Sequence, residues 1–121
     1  MALRTLVFAL LLVFSANGPA SAQQDIAGVA SIIDGDTIEI HGQRTRLHGI
    51  DSPESSQLCV RPTGERWRCG QQASFALADR IGRATVSCLP RDRDRYGHTV
   101  AVCFKGIEDL NRWLLSGESM P

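Results

Sequence analysis

The chain has 121 residues with 13 basic and 13 acidic side chains, and this length predicts a single domain with one small core. A protein that coats nucleic acid through charge alone is usually strongly basic, so the even charge balance excludes that mode of binding. Any engagement of a charged partner must therefore take place at a local site.

Residues 1–22 have the pattern of a secretory signal peptide. A short positive segment ends at Arg4, an apolar run covers 6–14, and Ala20-Ser-Ala22 has the small residues of a cleavage site. The apolar run is too short to span a bilayer, which needs about 20 residues. We therefore expect cleavage after Ala22, a secreted or periplasmic domain over 23–121, and no stable membrane association after cleavage.

Strand patterns dominate the first half of the predicted domain. Apolar and β-branched residues at alternating positions predict strands over 26–33, 37–41 and 44–50. Residues 55–70 are rich in Ser, Pro, Gly and Arg, which indicates an irregular loop. Apolar residues at i, i+4 and i+8 then predict a helix over 71–81, which Gly82 ends.

A hairpin and a short helix follow. The β-rich runs 84–89 and 99–104 flank the polar loop 90–97, and an apolar face over 107–115 predicts the closing helix. Three strands, a helix, two strands and a helix is the order of the OB-fold, a small five-stranded, partly open barrel. A generic α+β domain fits the composition equally well.

Four cysteines remain in the predicted domain. An even number of cysteines in a small exported domain indicates disulfides, and zinc sites need closer pairs than the ten-residue spacing found here. Cys88 and Cys103 lie on opposite arms of the predicted hairpin, where paired β-carbons are about 4.5–5.5 Å apart. We therefore predict Cys88–Cys103, which leaves Cys59–Cys69 to close the irregular loop.

Two short motifs carry the candidate chemistry: Asp34-Gly-Asp36-Thr37 and Arg46-Leu-His-Gly-Ile-Asp51-Ser52-Pro53-Glu54. Hard divalent cations bind oxygen ligands, and phosphodiester cleavage uses a metal, a base and a cation on the phosphate. Each aspartate taken alone is more often a simple turn residue. The two carboxylates can, however, converge at one rim of an OB barrel, where they would leave room for water and phosphate.

Both motifs resemble the active-site segments of the thermonuclease family (staphylococcal or micrococcal nuclease-like), and the resemblance extends from about residue 32 to residue 117. It implies the OB-fold and the hydrolysis of DNA and RNA. It also implies that Asp36, Asp51 and the main-chain oxygen of Ser52 bind Ca²⁺, that Glu54 is the general base, and that Arg46 holds the phosphate. Arg46 and Asp51 are an odd number of residues apart, so a regular strand would separate them; the resemblance requires a bend or a bulge.

The hairpin motif Tyr96-Gly97-His98 departs from the family at one position. Tyr96 matches and implies substrate binding, whereas His98 stands where the family has an arginine that stabilises charge in the transition state. Imidazolium can replace a guanidinium in part, but neutral imidazole donates only one hydrogen bond. The alternative is an exposed histidine without a function. If His98 is catalytic, we expect weak activity with an acidic optimum.

The sequence thus predicts an exported, monomeric, Ca²⁺-dependent nuclease in which the 5′-oxygen leaves. The chain is also short at its C-terminus relative to the family, since only 118–121 follow Gly117. Two rival interpretations remain open. One is a catalytically weakened OB-fold module that only binds nucleic acid, and the other is a truncated, poorly folded product.

Overall fold

The computed structural model describes residues 24–117; the predicted signal peptide and residues 118–121 lie outside this range. Within it the chain forms eight strands and two helices, and the mainly β character and the predicted order of elements are confirmed. The elements are β1 (Ile26–Asp34), β2 (Thr37–Ile40), β3 (Gln43–Leu47), β4 (Cys59–Val60), β5 (Arg66–Trp67), α1 (Cys69–Ile81), β6 (Thr85–Arg93), β7 (Thr99–Lys105), β8 (Glu108–Asp109) and α2 (Leu110–Leu115).

Five of the strands close into a barrel in the order β3, β2, β1, β6, β7, and β7 pairs back onto β3. The pairings around the barrel are antiparallel except for the last, which is parallel and aligns Thr45 with Thr99 and Leu47 with Ala101. The barrel therefore has the five-stranded OB architecture predicted from the sequence. Closure also brings the end of β3 next to the β6–β7 hairpin.

Side-chain alternation sets the inner and outer faces of β2 and β3. Ile38 and Ile40 of β2 and Leu47 of β3 are buried, while Arg44 and Arg46, which flank the buried Thr45 of β3, are exposed. This is the period-two pattern of a half-buried strand. Helix α1 packs onto β1 and buries the face predicted from its spacing, namely Ala73, Leu77 and Ile81.

Two predicted strand ends were wrong by three or more residues. The third strand ends at Leu47 instead of residue 50, because Gly49 adopts a φ of 77° and the Ile50 N–H donates to the Leu47 carbonyl at 3.2 Å, which forms a tight turn. Strand β6 runs on to Arg93 through the predicted polar loop. It does so with a register irregularity between Pro90 and Asp92, which accommodates the missing N–H of the proline.

The other two differences are short pairings that sequence periodicity does not reveal. The irregular loop contains a small ribbon formed by β4 and β5. The segment predicted to open the last helix forms β8, which pairs with β7, so α2 begins only at Leu110. Asp109 then caps α2 by accepting a hydrogen bond from the Arg112 N–H at 2.9 Å.

Both predicted disulfides are present. Cys88 and Cys103 face each other across β6 and β7. Cys59 and Cys69 join β4 to the first residue of α1, with a Cα–Cα distance of 5.6 Å. Closing this ten-residue separation restricts the unfolded chain, which contributes about 2–3 kcal/mol to stability.

Asn111 holds α2 against the junction of β3 and β7. Its side-chain amide donates to the carbonyls of His48 at 3.0 Å and Ala101 at 3.1 Å, and its Oδ1 accepts from the Cys103 N–H at 2.9 Å. Asn111 is only 5% exposed, so water cannot replace these bonds. One side chain therefore satisfies three main-chain groups beside the closing strand pair.

We predict that Asn111→Ala lowers the free energy of unfolding by about 2–4 kcal/mol, because it leaves the buried Cys103 N–H without its partner and removes two further hydrogen bonds. Urea titration followed by circular dichroism measures this change. Arg112→Ala, on the exposed side of the same helix, is the matched control and should stay within about 0.5 kcal/mol of the wild type. Equal effects of the two substitutions would show that the amide does not hold α2.

Candidate active site

A cleft of about 280 Å³ opens at the barrel rim between β3, the β1–β2 turn, the loop after β3 and the β6–β7 hairpin. Every residue predicted from the sequence to act in catalysis, metal binding or substrate binding lies along this cleft. The lining consists of Ile33, Asp34, Asp36, Thr37, Arg44, Arg46, Asp51, Ser52, Glu54, Asp94, Tyr96 and His98.

Asp36 is the most buried carboxylate of the cleft. It is 7% exposed, its Oδ1 accepts a hydrogen bond from the Thr37 hydroxyl at 2.9 Å, and its Oδ2 accepts from the Ser52 N–H at 3.1 Å. No basic side chain of residues 24–117 forms an ion pair with it. Its charge is therefore compensated only by neutral donors, which leaves it available to a cation.

The bend that the family resemblance requires between Arg46 and Asp51 is the turn at Gly49. Because β3 stops at Leu47 and the chain turns there, Asp51 comes back towards the outward face of β3. The Arg46 Nη2 and Asp51 Oδ1 atoms are 3.9 Å apart, and the Asp51 side chain is 96% exposed. So exposed a pair is weak, and both groups stay free to bind other charges.

Glu54 is exposed, but the loop that carries it is anchored. The next residue, Ser55, donates to Asp34 Oδ1 from its N–H at 2.7 Å and from its hydroxyl at 2.8 Å. The Ser55 and Ser74 hydroxyl oxygens are 2.9 Å apart, which ties the loop to α1. A β-carbon at Gly70 would overlap the Glu54 carbonyl oxygen, so the helix approaches the loop closely only because this position is glycine.

The hairpin that presents Tyr96 and His98 is organised by Asp94. Asp94 Oδ1 accepts from the N–H groups of both residues at 2.9 Å, and Asp94 Oδ2 lies 3.4 Å from His98 Nδ1. Partial burial alone would raise the pKa of Asp94, but the two main-chain donors and the nearby imidazole outweigh it and lower the pKa. These hydrogen bonds therefore stabilise the hairpin fully at pH values above the ordinary pKa of an aspartate. The stabilisation is lost as the pH falls through the lowered pKa of Asp94.

The donor set that the family resemblance implies for a metal consists of two carboxylates and a main-chain carbonyl. Within 24–117 no group of three or more His, Cys, Asp or Glu side chains is arranged to hold a metal ion. A site built on Asp36, Asp51 and the Ser52 carbonyl would therefore be poor in protein ligands. Calcium takes six to eight oxygens and accepts water and phosphate among them, so this set fits a cation that also binds substrate.

Sequence reasoning missed roles for Asp34, Arg44 and Asp94. Arg44 precedes Arg46 by two residues and so lies on the same face of β3, a signal that was available in the sequence. Asp34 holds the Glu54 loop through a hydrogen bond from a residue 21 positions away, and no local pattern predicts such a contact. Asp94 accepts from main-chain groups two and four residues later, which is a local turn signal that was available in the sequence.

Known proteins match this chain along most of its length. The family model described as staphylococcal nuclease homologue matches residues 44–117, more than half of the chain. The chain belongs to the staphylococcal nuclease homologue family. This finding confirms the resemblance drawn from the two acidic motifs, and at the family level it supports a nuclease.

Individual relatives agree with the family assignment. The chain is 43% identical over 98 residues to the succinoglycan biosynthesis protein ExoI of Rhizobium meliloti, a match covering 79% of this chain and 51% of that protein. It is 36% identical over 112 residues to a micrococcal nuclease of Shigella flexneri, covering 88% and 56%. It is 30% identical over 107 residues to a thermonuclease of Staphylococcus hyicus, covering 84% and 61%.

The chain thus spans about half to three fifths of the length of these relatives. Among residues 24–117 no helix is long and apolar enough to cross a membrane. What the matched region does chemically must therefore be argued from the cleft itself.

We predict that Asp34→Ala lowers kcat by about tenfold or more, because the Glu54 loop loses its anchor and a small displacement of a reacting group is costly. Asp34→Asn is the matched control, since its side-chain oxygen still accepts from Ser55. Steady-state cleavage of a fluorescent DNA oligonucleotide measures both. If both variants keep wild-type kcat, the loop does not depend on this contact.

Proposed function

We propose that the chain is an exported Ca²⁺-dependent nuclease that hydrolyses phosphodiester bonds of DNA and RNA, with the 5′-oxygen as leaving group. The observation that carries the proposal is the convergence of Asp36, Arg46, Asp51 and Glu54 on one cleft. Family membership supports phosphodiester hydrolysis in general, and the finer assignments rest on the contacts of these residues.

The charge of the cleft favours a bound cation. Its lining carries five carboxylates and two guanidinium groups, so without a cation it would repel a phosphodiester. We assign Asp36, Asp51 and the Ser52 main-chain oxygen as the Ca²⁺ ligands. When bound there, Ca²⁺ would polarise the phosphate and neutralise part of its charge.

The chain's own groups supply the remaining chemistry. The Arg46 guanidinium holds the phosphate through two parallel hydrogen bonds, and Glu54 accepts a proton from the attacking water. The water oxygen forms a bond to phosphorus as the bond from phosphorus to the 5′-oxygen breaks, and the departing oxygen takes a proton from solvent. Tyr96, 71% exposed at the mouth of the cleft, is placed to contact the nucleotide beside the scissile bond.

His98 is the least conventional member of the proposed site. Its Nδ1 faces Asp94, so its Nε2 is left to contact the phosphate, and it donates a hydrogen bond there when the ring is protonated. We assign it this role in place of the family arginine. The rival function is an OB-fold module that only binds nucleic acid, and it is supported by the same observation that histidine stands where the family has arginine.

Export is supported by the two disulfides, which persist in oxidising compartments. The predicted cleavage after Ala22 lies outside the described residues and remains part of the proposal, as does a monomeric state. Mass spectrometry of the secreted chain, with Gln23 at its N-terminus, tests the cleavage.

We predict that Asp51→Ala abolishes Ca²⁺ binding, because a site with two carboxylates does not tolerate the loss of one. Asp51 is almost fully exposed, so the substitution should leave the fold intact. Isothermal calorimetry measures the affinity, and Asp79→Ala, on the exposed face of α1, is the matched control. An unchanged affinity for Asp51→Ala would place the cation elsewhere.

We predict that Glu54→Gln lowers kcat for plasmid cleavage by about 10²–10⁴-fold, because the amide keeps the shape of the side chain but cannot accept the proton. Calcium binding and substrate affinity should change little. This combination separates the nuclease from the binding module. A folded wild-type protein that binds DNA and Ca²⁺ but cleaves nothing would establish the binding module instead.

A further inference from the structure

The proposed site has one permanent positive charge fewer than the family pattern. His98 occupies the hairpin position of the second arginine, and its Nδ1 is engaged by Asp94 at 3.4 Å. A phosphoryl-transfer site gains much of its rate from fixed positive groups that bind the negatively charged non-bridging oxygens of the phosphate. A second source of charge is therefore worth seeking within the cleft.

Arg44 stands beside His98 on the neighbouring strand. The parallel pairing of β3 with β7 aligns Thr45 with Thr99, so Arg44 and His98 each lie one residue before an aligned pair. Thr45 and Thr99 point inward, at 0% and 2% exposure. Alternation therefore turns the Arg44 and His98 side chains outward together, and both line the cleft.

The guanidinium of Arg44 is not engaged by another charge. Glu39 is its cross-strand partner on β2, yet Glu39 does not line the cleft. Over residues 24–117 no ion pair joins Arg44 to an acidic side chain. Arg46, by contrast, has Asp51 within 3.9 Å, so Arg44 has the less compensated charge of the two.

We propose that Arg44 supplies the second guanidinium of the reaction, donating hydrogen bonds to the phosphate from β3 where the family supplies them from the hairpin. This inference rests on the proposed nuclease function and adds a catalytic residue to it. The charge of Arg44 does not vary over the working pH range. The acidic optimum expected if His98 were the second cation should then be absent.

The test is a double-mutant cycle in kcat and KM on a DNA oligonucleotide with Ca²⁺, using Arg44→Ala, His98→Arg and the double variant. We expect Arg44→Ala to lower kcat by about 10²-fold, and His98→Arg to recover most of that loss in the double variant, because the hairpin then provides the missing charge. Arg83→Ala, on an exposed turn away from the cleft, is the matched control.

The pH profile supplies a second readout. The wild type and the double variant should keep their rates from about pH 7 to 9, because each holds two guanidinium groups, which stay charged over that range. If Glu54→Gln abolishes activity but Arg44→Ala behaves like Arg83→Ala, the Arg44 assignment fails and the nuclease stands. The Arg44 assignment also fails if Arg44→Ala lowers kcat and the addition of His98→Arg does not restore it. A folded wild-type protein that cleaves no nucleic acid overturns the nuclease and this inference together.

Discussion

The parallel pairing of β3 with β7 is the constraint on which the rest of the structure depends. In the open order of the sheet these two strands would lie four strands apart, with the Arg46 strand at one side and the Tyr96 hairpin at the other. Their pairing closes the barrel and turns two distant segments into the walls of one cleft. Asn111 reinforces the junction by bonding main-chain groups on both sides of it.

The carboxylates of the cleft divide into those that hold the chain and those left free. Asp34 and Asp94 are occupied by hydrogen bonds from nearby loops, so they position Glu54 and the hairpin. Asp51 and Glu54 are exposed and make no comparable contacts. Asp36 shares a feature with each group: hydrogen bonds fix its carboxylate, but no basic side chain of residues 24–117 pairs with its charge. The fixed acids thus support the loops, while the exposed acids stay accessible to a cation and a phosphate.

Sequence patterns predicted the strands and α1 because alternation in β2 and β3 and the i, i+4, i+8 spacing in α1 reflect burial directly, and the resemblance to the family decided for the barrel. The disulfides followed from hairpin geometry, and the cleft lining followed from the resemblance carried by two short motifs. The end of β3 at Leu47 and the β8 pairing were missed because each depends on a single turn or a distant partner. Asp34 was missed for the same reason, whereas the turn signal at Asp94 was available in the sequence. Arg44 was visible in the period-two pattern, but its closeness to His98 emerges only once the barrel is closed.

The central claim is that the cleft hydrolyses phosphodiesters by attack of water on phosphorus with departure of the 5′-oxygen. Cleavage of a DNA oligonucleotide in heavy-oxygen water, followed by mass spectrometry of the product ends, tests it most directly. DNA lacks the 2′-hydroxyl that can attack phosphorus in RNA. In a reaction without a covalent enzyme intermediate, the nucleophile is therefore water. The account predicts 5′-hydroxyl ends and 3′-phosphate ends that carry one heavy oxygen from each cut. Products with 5′-phosphate ends, or 3′-phosphates without the label, would contradict it.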